Sequence, residues 1–185
     1  MIAKEELNIL WSLEQTAEKY EDRVAVSDVN QELTWKGLVK KAQVIGAELS
    51  KKVQPGNPIP VLLEKSSETL AVMLGIVYAG CFYVPVNPMN PAERLRKIME
   101  KLEPEVIISD EKGKEQLAAV GIGLEEKVIG PETLLPTTGT DLSEEQRSKL
   151  EQIQGQWKET DALYGIFTSG STGTPKAIVV SHGAA

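Results

Sequence analysis

IPVLLEKSSETLAVMLGIVYAGCFYVPVNPMNPAERLRKIMEKLEPEVIIS, residues 59–109, switches repeatedly between two apolar patterns. Ile59–Leu63 is a short continuous apolar run and reads as a buried strand. Ser66 or Ser67 can cap a helix that runs through Tyr78, with Gly80 as its stop. Phe82–Val86 is the next strand. Asn90-Pro91-Ala92-Glu93 is a helix start, with Asn90 as cap, Pro91 at the first helical position and Glu93 closing a capping box. Leu95, Ile98, Met99 and Leu102 then recur at helical spacing, which marks a core face and not a cofactor box. Pro104 ends that helix, and Val106–Ser109 is a third strand. Strands and helices that alternate over short joints demand right-handed crossovers and a parallel sheet covered by helices, an α/β fold.

The flanks extend this pattern. Leu7–Tyr20 reads as an amphipathic helix, and Val24–Ser27 with Glu32–Trp35 as a hairpin around Asn30. Leu38, Ala42, Ile45 and Leu49 form a helical stripe that ends before Pro55-Gly56. Downstream come a helix at Lys112–Val120, a strand at Lys127–Ile129 and a loop at Pro131–Asp141. Ser143 and Gln146 can cap a short helix toward Ile153. There is no internal repeat and no low-complexity tract.

The 185 residues, 41% hydrophobic and 25% charged, suit one globular domain with a sizeable core. The net charge of −7 argues against a nucleic-acid or anionic-membrane partner, which would call for a basic face. One cysteine, Cys81, rules out an internal disulfide framework, and its apolar surroundings mark a buried small hydrophobe. One cysteine and one histidine make a poor zinc site. Met1–Glu6 is already charged, and Leu70–Val86, the longest apolar run, is too short to span a bilayer, so a cytoplasmic location is expected.

Near the C-terminus, Thr168-Ser169-Gly170-Ser171-Thr172-Gly173-Thr174-Pro175-Lys176 lies between the apolar segments Tyr164–Phe167 and Ile178–Val180. Such a loop offers backbone N–H groups, hydroxyls and one ammonium to a polyphosphate, with no bulky side chain to block approach. It is not a Walker loop. Gly165 and Gly170 have the right separation, but Ser171 stands where the lysine belongs, and Ala177–Val180 reads as strand, not helix. The segment is therefore expected to be a hairpin with phosphate donors at its tip. Gly/Ser/Thr clusters are commonly plain surface linkers. A proline beside a lysine, between two apolar strands, sets this one apart.

Tyr164-Gly-Ile-Phe-Thr-Ser-Gly-Ser-Thr-Gly-Thr-Pro-Lys176 resembles the phosphate-loop signature of the adenylate-forming superfamily. That superfamily includes adenylation domains of nonribosomal peptide synthetases, acyl- and aryl-CoA synthetases, and luciferases. Two further stretches match in order. Leu33-Thr-Trp-Lys-Gly-Leu38 is similar to the family's Leu-Thr-Tyr-x-Glu-Leu. Leu74-Gly-Ile-Val-Tyr-Ala-Gly-Cys-Phe-Tyr-Val-Pro-Val-Asn-Pro88, followed by Asn90-Pro-Ala-Glu-Arg-Leu95, resembles the amino-acid-activating branch, which includes D-alanine-activating ligases. Asn87 departs from the usual Asp, Gly37 from Glu, and Ala177 from Gly. A methyl at Ala177 would restrict the loop if the backbone there needed a positive φ.

The resemblance implies an N-terminal subdomain of an ATP-dependent, AMP-forming ligase. Residues 1–185 would be the N-terminal part of a longer protein, with the rest of that domain and a C-terminal lid domain lying beyond them. The intact enzyme would join an amino acid to the α-phosphate of ATP, release pyrophosphate, and pass the aminoacyl group to a phosphopantetheine thiol on a carrier protein. It would carry out the chemistry; residues 1–185 alone would not. The resemblance also implies that Thr168, Ser169, Ser171 and Thr172 donate hydroxyls to the β- and γ-phosphates. Gly170 and Gly173 would let the backbone approach, and Lys176 would supply catalytic charge. Ligands for Mg²⁺ are expected outside this chain. A fatty- or aryl-acid CoA ligase, which uses CoA as acceptor, and a non-catalytic module that binds nucleotide or protein are the alternatives. His182, the only histidine, has no nearby Ser–Asp or Cys partner pattern and reads as a polar residue at a strand end. Trp11, Trp35 and Trp157 are too scattered in sequence to suggest base stacking.

Overall fold

The structure, a computed structural model, describes residues 8–121, 123–135, 141–169 and 175–185. Helix α1 spans Ile9–Lys19 and is capped by Asn8, whose side chain accepts the N–H of Leu10 at 2.9 Å. A two-stranded antiparallel ribbon follows, β1 (Val24–Ser27) and β2 (Glu32–Thr34). Thr34 caps helix α2 (Trp35–Leu49) through the N–H of Gly37 at 3.1 Å. The predicted hairpin and both helices are thus present. Gly37 takes its place in the first turn without the carboxylate that would complete a capping box.

The alternating centre follows as expected. Strand β3 (Pro58–Leu62) leads to α3 (Ser67–Tyr78), β4 (Phe82–Pro85), α4 (Ala92–Leu102), β5 (Ile107–Ser109) and α5 (Glu111–Val120). Ser66 is the cap of α3, receiving the N–H of Thr69 at 3.0 Å, and Gly80 reverses the chain at φ 77°. One local reading is corrected. Asn90 does not cap α4: Pro91 takes the cap position with an extended ψ of 141°, and no side chain bonds to the first turn. The Asn90 N–H instead turns back to the Asn87 carbonyl, 3.0 Å away, and Glu93 pairs with Lys97 at 2.9 Å. The tight turn after β4 thus consumes the residue that the sequence pattern assigns to the helix.

Strand β6 (Val128–Ile129), helix α6 (Glu144–Gln154) and strands β7 (Ala162–Ser169) and β8 (Pro175–Ser181) complete the chain. Ser143 and Gln146 form the predicted capping box on α6. The main sheet has the order β6-β5-β3-β4-β7-β8, parallel throughout except for the antiparallel edge strand β8.

Strand alternation divides the core between the two faces of the sheet. Val61 and Ile108 join Ile45, Val72 and Ile76 from α2 and α3. Leu62 and Ile107 face the other way, toward Leu95 and Ile98 of α4 and Leu117 of α5. Leu10, Tyr78, Leu150 and Leu163 form a third cluster that anchors α1 and α6. Among the described residues, no helix is long and apolar enough to cross a membrane.

Candidate nucleotide-binding site

The β7–β8 hairpin is in register from Tyr164↔Val180 to Ser169↔Pro175, with a shift in pairing between Ala162 and Tyr164. Thr168 therefore stands directly across from Lys176, and both side chains are exposed. Gly170, Ser171, Thr172 and Gly173 lie outside the described residues. The strand–loop–strand reading holds for both arms of the hairpin. Ala177 pairs with Phe167 within β8 and its φ is not positive, so the extra methyl meets no backbone obstacle.

Parallel pairing fixes where the hairpin tip points. Tyr83 of β4 aligns with Tyr164 of β7, their rings stacked at 5.7 Å. Strand β4 stops at Pro85, whereas β7 runs on to Ser169. The last residues of β7 thus project past the carboxyl ends of β3 and β4. That is the edge where open α/β sheets take their ligands. The same edge carries an open, mainly apolar cleft of about 750 Å³, lined among others by Leu63, Met73, Val86, Pro88 and Met89. Asn87 closes the turn there by accepting the N–H of Met89 at 2.9 Å. Asn serves this turn, as Asp also would.

Two links tie the projecting ribbon to the body. The Phe167 ring packs against the cluster of Val84, Val86, Leu95 and Ile98. The Phe167 carbonyl accepts a hydrogen bond from Arg94 Nη2 at 3.4 Å. This contact between Arg94 and β7 is not foreseen from the sequence. Its only signal is an arginine at the margin of an apolar helical stripe, beside Leu95 and four residues before Ile98.

His182 lies far from this edge. Five strand residues, Ala177 to Ser181, separate it from Lys176, roughly 20 Å at strand spacing. It is buried in a short turn after β8, its ring 5.0 Å from that of Trp157, and its Nδ1 has no hydrogen-bond partner. Burial holds its pKa below the usual value, while the charge of Asp161 opposes that shift. The strand-end reading is right in position, and the residue is buried there. Trp11 and Trp157, distant in sequence, line one cleft with it. Cys81 is buried as expected, which pushes its thiol up to about 11.

Chemically, Thr168 and Lys176 fit an anion with several oxygens: a hydroxyl and an ammonium, both open to solvent, at the mouth of a loop rich in donors. Among the described residues, no three His, Cys, Asp or Glu side chains converge.

Residues 13–185 match the family model described as AMP-binding enzyme, and the chain belongs to that family. It is 33% identical over 174 residues to bacitracin synthase 1 of Bacillus licheniformis, covering 91% of this chain and 3% of that protein. The N-terminal subdomain of Klebsiella oxytoca NpsA, solved with 3-hydroxybenzoyl-AMSN, shares the fold at a TM-score of 0.75 and 22% identity, over 95% of this chain and 41% of that one. VinN, solved with L-aspartate, gives a TM-score of 0.73 at 25% identity, over 92% of this chain and 46% of that one. The chain spans 3% of the length of bacitracin synthase 1 and 15% of that of tyrocidine synthase 1 of Brevibacillus parabrevis, to which it is 31% identical over 91% of its own length.

Proposed function

We propose that this chain is the N-terminal subdomain of an adenylation enzyme that activates an amino acid with ATP. The observation that carries the reading is the Thr168–Lys176 pair at the mouth of a Gly/Ser/Thr loop, set on the carboxyl edge of the parallel sheet. Membership of the AMP-binding family and likeness to peptide synthetases such as bacitracin synthase 1 support it.

In this reaction an acid carboxylate attacks the α-phosphorus of ATP. A P–O bond forms to the carboxylate oxygen, the bond to the bridging oxygen breaks, and pyrophosphate leaves with the electron pair. The carboxylate is already ionised at neutral pH, so no general base is required. The demands on the protein are alignment and neutralisation of charge on the leaving group. Thr168, Ser169, Ser171, Thr172 and the glycine N–H groups would hold the β- and γ-phosphates, with Lys176 supplying positive charge. Mg²⁺, held by residues outside this chain, would neutralise further phosphate charge. The aminoacyl group would then pass to the phosphopantetheine thiol of a carrier protein, with AMP released.

ATP–pyrophosphate exchange by the full-length protein, across amino, fatty and aryl acids, tests the reading. Exchange driven by one or a few amino acids is expected. Exchange with fatty or aryl acids alone would move the protein to CoA ligase chemistry. Silence with every acid would leave a nucleotide- or protein-binding role.

A further inference from the structure

We propose that Arg94 is a positioning residue for the polyphosphate loop, holding the base of the β7–β8 hairpin at the working height of the site. This inference rests on the nucleotide reading above.

Helix α4 distributes its basic residues among separate tasks. Lys97 is neutralised by Glu93 at 2.9 Å. Arg96 Nη2 donates to the Val120 carbonyl at 2.8 Å, so it caps the end of α5. Arg94 is half-buried, forms no ion pair among the described residues, and directs its guanidinium to the Phe167 carbonyl. That carbonyl immediately precedes Thr168, at the point where β7 has outrun β4 and no strand flanks it on that side. A two-stranded ribbon without a third strand is poorly restrained, so the Phe167 ring and Arg94, together with the contact of α4 on β8, help to set its orientation. The guanidinium carries five N–H donors in a fixed fork, so the bond to one carbonyl does not exhaust its capacity to meet the phosphate oxygens of a bound nucleotide. The loop's donors act on phosphate only if they are held in place before ATP arrives, so this anchor should appear in ATP affinity and not in folding.

The test uses the full-length protein with Arg94→Met and Arg94→Lys. Arg94→Met should raise KM for ATP roughly tenfold, the worth of a charged hydrogen bond. KM for the acid and the melting temperature should be unchanged. Arg94→Lys, which can still reach the carbonyl, should recover part of the loss. An unaltered KM for ATP, or parallel losses in acid affinity and melting temperature, would overturn the proposal. Should the wild-type protein show no exchange with any acid, ATP binding by calorimetry decides. Weaker binding by Arg94→Met supports the anchor, and equal binding overturns it. No binding by the wild type overturns both the anchor and the nucleotide reading.

Discussion

Lys176 is the residue on which the proposed chemistry turns. It is exposed, faces Thr168 across the hairpin and has no carboxylate partner among the described residues, so its charge is available to a ligand. In the full-length protein, Lys176→Ala should slow adenylate formation by about an order of magnitude or more, because it removes a charge facing the leaving group. The melting temperature should hold, since an exposed side chain contributes little packing. Single-turnover adenylate formation measures the first effect, and an unchanged rate would make Lys176 an ordinary surface lysine. Lys176 was legible because its motif is local: nine consecutive residues carry both the donors and the charge. Arg94 was not, because its meaning depends on where α4 lands against a strand more than seventy residues away. The burial of His182 likewise depends on a distant segment, since Trp157 packs against it.

At the scale of elements, two features hold the platform beneath the site. Helices α2 and α3 approach closely enough that a methyl on Gly46 would lie 2.5 Å from Tyr78 Cβ. A methyl on Gly75 would collide with the Ile45 side chain and lie 3.0 Å from the Ala42 carbonyl. Gly75→Ala should therefore destabilise the chain by about 2 kcal/mol or more despite its better helix propensity, as overpacking against backbone does. Chemical denaturation reads this directly, and a neutral or stabilising result would mean the helices can separate at little cost. The second feature is Asp28, at the tip of the β1–β2 ribbon. Its carboxylate accepts the Ser67 hydroxyl at 2.6 Å and N–H groups of Ser67, Asn30 and Gln31 at 2.7, 2.7 and 3.1 Å. These bonds, the Ser67 hydroxyl foremost, hold its pKa well below the usual carboxylate value of 3.8. A depressed carboxylate pKa contributes stability that is present above the unfolded value and lost as pH falls below it. The melting temperature should thus drop as pH falls below 3.8, and Asp28→Asn should flatten that part of the profile. An identical acid limb in the variant would rule the bond network out as its cause. Element identity was legible because caps and apolar periods are local signals. The α4 cap was misplaced by one residue: the helix begins at Ala92, so Pro91 takes the cap position and Asn90 stays in the turn to Asn87.

For the whole molecule, strand order decides both the site and a liability. Placing β7 beside β4 brings the loop to the carboxyl edge of the sheet, and placing β8 outside it leaves an edge strand. Ile178 and Val179 on β8 and Ile166 on β7 are about half exposed, at 50%, 55% and 43%. An apolar unpaired edge of this kind invites pairing with another chain. The 185-residue chain should self-associate in a concentration-dependent way, and Val179→Lys should shift it toward monomer in light scattering. A monomeric wild type would show that this edge is harmless. The sequence by itself determined the alternation of strands and helices, the parallel core and the two strands that flank the Gly/Ser/Thr segment, because each is written in residues close along the chain. Only the tertiary structure decided which strands are neighbours, how far β7 overhangs β4, and that Arg94 and Phe167 meet. Those depend on contacts between distant segments, where packing and the end of a neighbouring strand, not local propensity, set the outcome.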